Sequence, residues 1–258
     1  MTLGVILAFV LGLIFGSFGT VAAHRIPRRE TIVTGRSKCP NCGRKIRAHE
    51  NVPVVSYLIL RGRCPGCGTK ISLRYPLIEL VTGVLFALAV VKFEVTVTAV
   101  VYAAFFWVLV VLTVIDLEHK LLPNRIVYPT FVVGWAGLVI AALVDGDTER
   151  LRSAALGAVV FGGFFFVVAF VYPAGMGGGD VKLAFVLGTF VGYAGGVGAV
   201  LAGMFASFLL GGVIGIIAMR FSGKGRKTQI PFGPFLALGS VIAVFLGERI
   251  AEGYVEFL

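Results

Sequence analysis

The sequence predicts an all-α polytopic membrane protein of about eight transmembrane helices interrupted by one long polar loop. Two observations carry that fold class. Of its 258 residues, 58% are hydrophobic and only 14% charged, with a mean hydropathy of +0.96. The apolar residues are also gathered into runs, and runs of roughly 18 or more are read as membrane-crossing helices.

The first run, residues 2–23, has the length of a span but could be mistaken for a secretory signal. It has no basic stretch ahead of it, and its positive charges follow it, so an uncleaved first helix with its amino end outside is expected. The polar loop follows at 24–75, and further spans are expected at 76–92, 95–115, 126–144, 151–172, 181–196, 198–219 and 230–250. Between the sixth and seventh, a break is expected somewhere from Gly192 to Gly198.

The net charge of +10 would point to nucleic acid in a soluble protein. In a membrane protein it reports topology, because basic residues collect on the cytoplasmic side. Residues 24–75 hold 12 of the 23 Lys and Arg against two acids, Glu30 and Glu50. With that loop inside, 19 of the 23 basic residues are cytoplasmic, and only Lys92, Arg150, Arg152 and Arg249 lie outside. Both termini are then outside. Anionic lipid accounts for the loop's charges without a nucleic-acid partner.

All four cysteines fall in this loop, as "CPNC" (Cys39, Cys42) and "CPGC" (Cys64, Cys67), with 21 residues between the pairs. Doubled C-x-x-C knuckles at close to this spacing point to a zinc ribbon. Two tight turns bring four thiolates around one ion at about 2.3 Å, and Gly43, Gly66 and Gly68 are expected to supply the turn freedom. With all four positions taken by sulfur, such an ion is structural. A cytosolic loop argues against disulfides.

Ionisable residues at membrane depth are costly and default to function, with a partner expected. Asp116, in "VIDLEHKLLPN", ends the third span running inward, and Asp180, in "GMGGGDVK", begins the sixth running outward. The two are 64 residues apart, yet both are expected at the cytoplasmic face. Two carboxylates held close share one proton, so one can deprotonate a water while the other protonates a carbonyl oxygen or leaving amine. Gly177, Gly178 and Gly179 are expected to give an extended or irregular loop beside Asp180 that lets a substrate backbone approach. Blander readings stay open at this point. The glycines suit close helix packing; Asp180 suits a helix cap beside Lys182; Asp116 suits an interfacial pair with His119 or Lys120. The phosphate-loop spacing is absent.

The sequence resembles the type IV prepilin peptidases, bifunctional membrane enzymes that process type IV pilins and related pseudopilins. "GSFGTVAAHRIP", "SKCPNC", "ENVPVVSYLILRGRCPGC", "ISLRYPLIELVTG", "IDLEHKLLPN", "GMGGGDVK" and "IPFGPFLALG" follow the family's order over almost the whole chain. The family's G-x-G-D falls on Gly177, Gly178, Gly179 and Asp180. In its opening segment, Thr20 stands where the family commonly has asparagine, and Gly19 replaces a larger residue.

The resemblance implies Asp116 and Asp180 as an aspartic-protease dyad. It implies cleavage of a short basic leader from prepilin on the cytoplasmic side of the bacterial inner membrane, just after a glycine. It further implies methylation of the new amino terminus with S-adenosylmethionine as donor, an activity associated with the tetracysteine loop at 24–75. Residues 76–258 would form the peptidase core. No dinucleotide-type glycine fingerprint marks a site for that donor. Glu79, in "YPLIEL", is a candidate for orienting the substrate amine, with a buried hydrogen bond or a pair with Arg74 as the plainer alternative. The competing functional readings are a peptidase alone with the cysteine loop as scaffold, a proton or ion transporter using the aspartates as a relay, and a non-enzymatic secretion scaffold.

Overall fold

The computed structural model describes residues 1–32, 37–173, 176–221 and 231–257. Eight α-helices follow in order: α1 (Thr2–Arg25), α2 (Val55–Ile59), α3 (Arg74–Phe93), α4 (Val97–His119), α5 (Asn124–Asp145), α6 (Glu149–Val171), α7 (Gly178–Phe221) and α8 (Gly233–Phe257). Among the described residues, all except the short α2 are long and apolar enough to cross a membrane. The chain is a multi-pass membrane protein, and its fold is the helical one that hydropathy predicts. Extended pairing among the described residues is limited to the bridges Lys38 to Lys45 and Arg63 to Lys70.

Two spans predicted at 181–196 and 198–219 form one element, α7, of 44 residues. Unbroken, it would run about 66 Å, twice the hydrocarbon core. It is broken where Gly195 and Gly196 leave helical geometry, Gly196 with φ +70°. A Cβ on Gly203 would stand 4.0 Å from Val191 Cγ1. Twelve residues of straight helix would separate those positions by about 18 Å, so the two halves fold back on each other. The expected break is present, at Gly195 and Gly196.

The chain divides into two compact units, Met1–Val111 and Leu112–Leu258, with the division inside α4. In the first, α1 turns Gly12, Gly16, Gly19, Ala22 and Ala23 inward, while Leu3, Ile6, Leu7 and Val10 stay exposed. That inversion suits lipid, where close backbone approach rather than burial of large side chains drives helix association. A Cβ on Gly16 would come within 2.6 Å of Glu79 Cα, and one on Gly12 within 2.7 Å of Gly83 Cα. Gly19 lies where a Cβ would stand 3.1 Å from Trp107 Nε1. That indole donates to the Phe15 carbonyl at 2.8 Å.

The second unit is held by α6 and α8 packing on α7. Gly157 of α6 meets the Gly188 carbonyl, Gly192 meets the Ser153 carbonyl, and Gly239 of α8 meets Ser207. Phe161, Phe165, Leu183, Leu187, Phe190 and Leu236 fill the space around these crossings and are fully buried.

Candidate functional site

In the second unit, Asp116 sits on the last turn of α4 and is only 5% exposed. The chain leaves that helix through Lys120, at φ +50°, after its N–H has bonded the Asp116 carbonyl at 2.8 Å. Asp116 Oδ2 accepts a hydrogen bond from the Gly233 N–H at 3.1 Å. Gly233 opens α8, so a group at the start of the last helix orients a carboxylate at the end of α4. A Cβ on Gly233 would lie 2.6 Å from Asp116 Oδ2, so a side chain there would displace the carboxylate.

Asp180 lies on the first turn of α7 and is half-buried. Its carboxylate accepts the Gly177 N–H, and its own N–H donates to the Gly177 carbonyl at 3.0 Å. Gly178 and Gly179 are already helical, and only Gly177 precedes the helix. The extended or irregular loop expected at these three glycines is thus confined to Gly177, and Gly178 and Gly179 start the helix. A Cβ would stand 3.1 Å from Asp180 Oδ2 at Gly177 and 3.0 Å from Leu122 Cβ at Gly179, but would meet nothing at Gly178. That is the physical content of a G-x-G-D pattern. Gly175, at the head of the quoted stretch, lies outside the described residues.

Asp116 and Asp180 line one cavity of about 320 Å³ with these glycines, Lys120, Asn124 and Lys182. The two carboxylates are near enough for their charges to interact. The buried Leu122 forms the floor beneath Gly179 and Gly233. Among the described residues neither carboxylate is in an ion pair: Lys182 Nζ donates to Asn124 Oδ1 at 3.1 Å, and His119 lies 3.8 Å from Glu118. Neither aspartate is explained as half of a structural salt bridge. Gly233 and Asn124 are the site residues that sequence reasoning passed over as motif neighbours; Gly233 in "IPFGPF", ahead of an apolar run, was the available signal.

In the first unit the four cysteine sulfurs lie within 4.8 Å of one another. The knuckles match: Gly43 N–H bonds the Cys39 carbonyl at 2.9 Å, and Gly68 N–H bonds the Cys64 carbonyl at 2.8 Å. Gly43 and Gly68 have φ +69° and +71°, where a side chain is strained. Gly66 is not in that region; it is crowded by Arg44, whose Cδ would lie 2.9 Å from a Cβ.

Four sulfurs each 2.3 Å from one ion stand about 3.8 Å apart in a tetrahedron, and Cys39 and Cys67 are 3.8 Å apart. All four cysteines are free thiols. Hydrogen bonds from the Thr69 hydroxyl and N–H and from Asn41 pull the Cys67 thiol down to about 6. Cys42 is pushed up to about 11, because burial and the three neighbouring thiols outweigh its hydrogen bond with the Arg44 backbone. Without a cation the cluster resists becoming fully ionised, and a divalent ion resolves that conflict. The donor set fits zinc. Arg44 braces the knuckles from below through a 2.6 Å pair with Glu50.

Glu79, at the head of α3, is 8% exposed and accepts the Val54 N–H at 2.7 Å and the Ser17 hydroxyl. Val54 is held at φ +59°, an unfavourable region for a β-branched residue. Glu79 therefore has buried hydrogen-bond partners.

Family models match the chain in two pieces: the bacterial peptidase A24 N-terminal domain over residues 10–93 and the type IV leader peptidase family over 103–216. Relatives named prepilin leader peptidase/N-methyltransferase are similar over nearly the full length. The one from Bacillus subtilis is 34% identical over 248 residues, covering 96% of each chain. That from Stutzerimonas stutzeri is 34% identical over 281 residues, covering 98% of this chain and 94% of its own. One from Burkholderia pseudomallei is 35% identical over 271 residues, covering 93% and 84%. No solved structure matches the chain.

Proposed function

Because the chain belongs to the type IV leader peptidase family, we propose that it removes the basic leader of prepilins or pseudopilins with Asp116 and Asp180 as an acid–base pair. The observation that carries this is the shared cavity, in which two carboxylates from α4 and α7 have backbone N–H partners and, among the described residues, no ion-pair partner. The ionised carboxylate takes a proton from water, whose oxygen bonds the scissile carbonyl carbon. The protonated carboxyl serves the carbonyl oxygen. Collapse of the tetrahedral species breaks the C–N bond, and the carboxyl that took the water's proton gives it to the leaving amine.

The excess of basic residues in 24–75 and in the loop after α4 supports a cytoplasmic site, with both termini outside. The substrate then enters as a helix with its apolar part in the bilayer and its leader in the cytoplasm. The cut falls where the two meet.

Cys39, Cys42, Cys64 and Cys67 would hold one zinc ion, which supplies a rigid tetrahedral cross-link between the two knuckles. N-methyl transfer follows the relatives' names, and the family resemblance supplies the new amino terminus as acceptor and S-adenosylmethionine as donor. The cavity in the tetracysteine region, lined by Ser37, Ile46, Arg47, Ala48 and Asn51, presents neither an aromatic ring nor an acid among the described residues. Glu79, buried against Val54 and Ser17, is a candidate for orienting the substrate amine.

The test is to incubate the detergent-purified protein with a prepilin from the same organism and follow the leader by mass. Leader loss in wild type and its absence in Asp116→Asn and Asp180→Asn support the dyad. Cleavage surviving either substitution breaks it.

A further inference from the structure

We propose that Lys182 is a third working group of the peptidase site, its ammonium directed at the oxygen of the scissile carbonyl. This rests on the two-carboxylate reading above and adds to it a fixed positive charge. Lys182 is half-buried on the first turns of α7 and lines the same cavity as Asp116 and Asp180. Its Nζ donates to Asn124 Oδ1 at 3.1 Å and stands 5.3 Å from the centroid of the Tyr128 ring. Asn124 and Tyr128 are four residues apart on α5, so one face of that helix forms the socket.

The socket is neutral, and this matters. A lysine present only to satisfy a buried acid would pair with it, yet among the described residues no carboxylate lies within ion-pair distance of Nζ. A lysine present only for solubility would snorkel toward water. This one is held by an amide oxygen and an aromatic face, which position an ammonium without cancelling its charge. Of its three N–H donors, Asn124 takes one. The remainder suit an oxygen on which charge develops.

When water adds to the scissile carbonyl, the C=O π pair moves onto that oxygen. The protonated carboxyl serves it from one side and Lys182 from the other. Collapse restores the C=O bond, breaks the C–N bond and releases the amine, while Lys182 keeps its proton throughout. Preorganised donors of this kind are worth roughly 100-fold in kcat. Asn124 is a positioning residue, acting through Lys182.

The experiment measures kcat and KM for prepilin leader cleavage in wild type and in the Lys182→Met, Lys182→Arg and Asn124→Ala variants. Asp116→Asn and Asp180→Asn serve as controls, and detergent melting curves are run for all. Lys182→Met is expected to lower kcat about 100-fold with KM within about 3-fold. Lys182→Arg should recover much of the rate, and Asn124→Ala should fall between. A Lys182→Met kcat within about 3-fold of wild type, a loss confined to KM, or an arginine variant no better than methionine would each overturn the proposal. If Lys182→Met does not fold, Asn124→Ala decides: a wild-type kcat there overturns the proposal. Inactive aspartate variants beside an active Lys182→Met sink the lysine alone. An active aspartate variant sinks the dyad and the lysine with it.

Discussion

Asp116 and Gly233, 117 residues apart in sequence, are joined by a 3.1 Å hydrogen bond from the glycine N–H to the aspartate Oδ2. The absence of a side chain on Gly233 is what admits the carboxylate, since a Cβ would stand 2.6 Å from that oxygen. A bond between the end of α4 and the start of α8 thus aims one of the two acids into the cavity.

Gly233→Ala should therefore lower the rate of leader cleavage by roughly 10- to 100-fold, the cost of misplacing a reacting group by about an ångström. Steady-state kinetics on prepilin checks this, with a melting curve showing that the fold persists.

The three glycines before Asp180 should separate cleanly. Gly178→Ala meets open space and should keep cleavage within about 2-fold of wild type, with alanine's better helix propensity a small gain in stability. Gly177→Ala and Gly179→Ala press on Asp180 and Leu122 and should both be impaired. Equal activity in all three variants would contradict the crowding at 177 and 179.

One zinc per chain is expected by elemental analysis of the purified protein, held by Cys39, Cys42, Cys64 and Cys67. A Cys39→Ser or Cys67→Ser variant should lose the metal. Amide exchange at the Arg63 and Lys70 bridge should accelerate when it does.

The Arg44 guanidinium beside Glu50, helped by the Arg47 N–H, holds its carboxyl down at about 2. A carboxyl depressed in the folded state contributes stability above its ordinary value of about 4.3, and that contribution is lost as pH falls toward about 2. Glu50→Gln should therefore weaken the tetracysteine region at neutral pH. Its deficit relative to wild type should narrow between about 4.3 and about 2. Exchange protection of Arg47 and its neighbours across that range reads the difference.

Much of this protein was legible in the chain itself. Hydropathy runs placed the spans to within a few residues because lipid forces backbone polar groups to pair inside a helix. Cysteine spacing foretold the four-sulfur cluster because the two knuckles are local turns, each closed within a few residues by Gly43 or Gly68. The rarity of intramembrane acids singled out Asp116 and Asp180, and the structure sets both on one cavity.

Only the tertiary structure decided what surrounds those acids. The glycines before Asp180 read as an extended or irregular loop, yet Gly178 and Gly179 begin a helix, and a Cβ at 177 or 179 would crowd Asp180 or Leu122. Lys182 read as a neighbour of Asp180, yet its ammonium goes to Asn124 and Tyr128 on α5. Gly233 carried no chemistry as a letter in a motif. Periodicity, charge bias and turn signals act over a few residues to one span, so they survive in a linear reading. A carboxylate's hydrogen-bond partner and the space left for a Cβ depend on helices distant in sequence, and they exist only once those helices have packed.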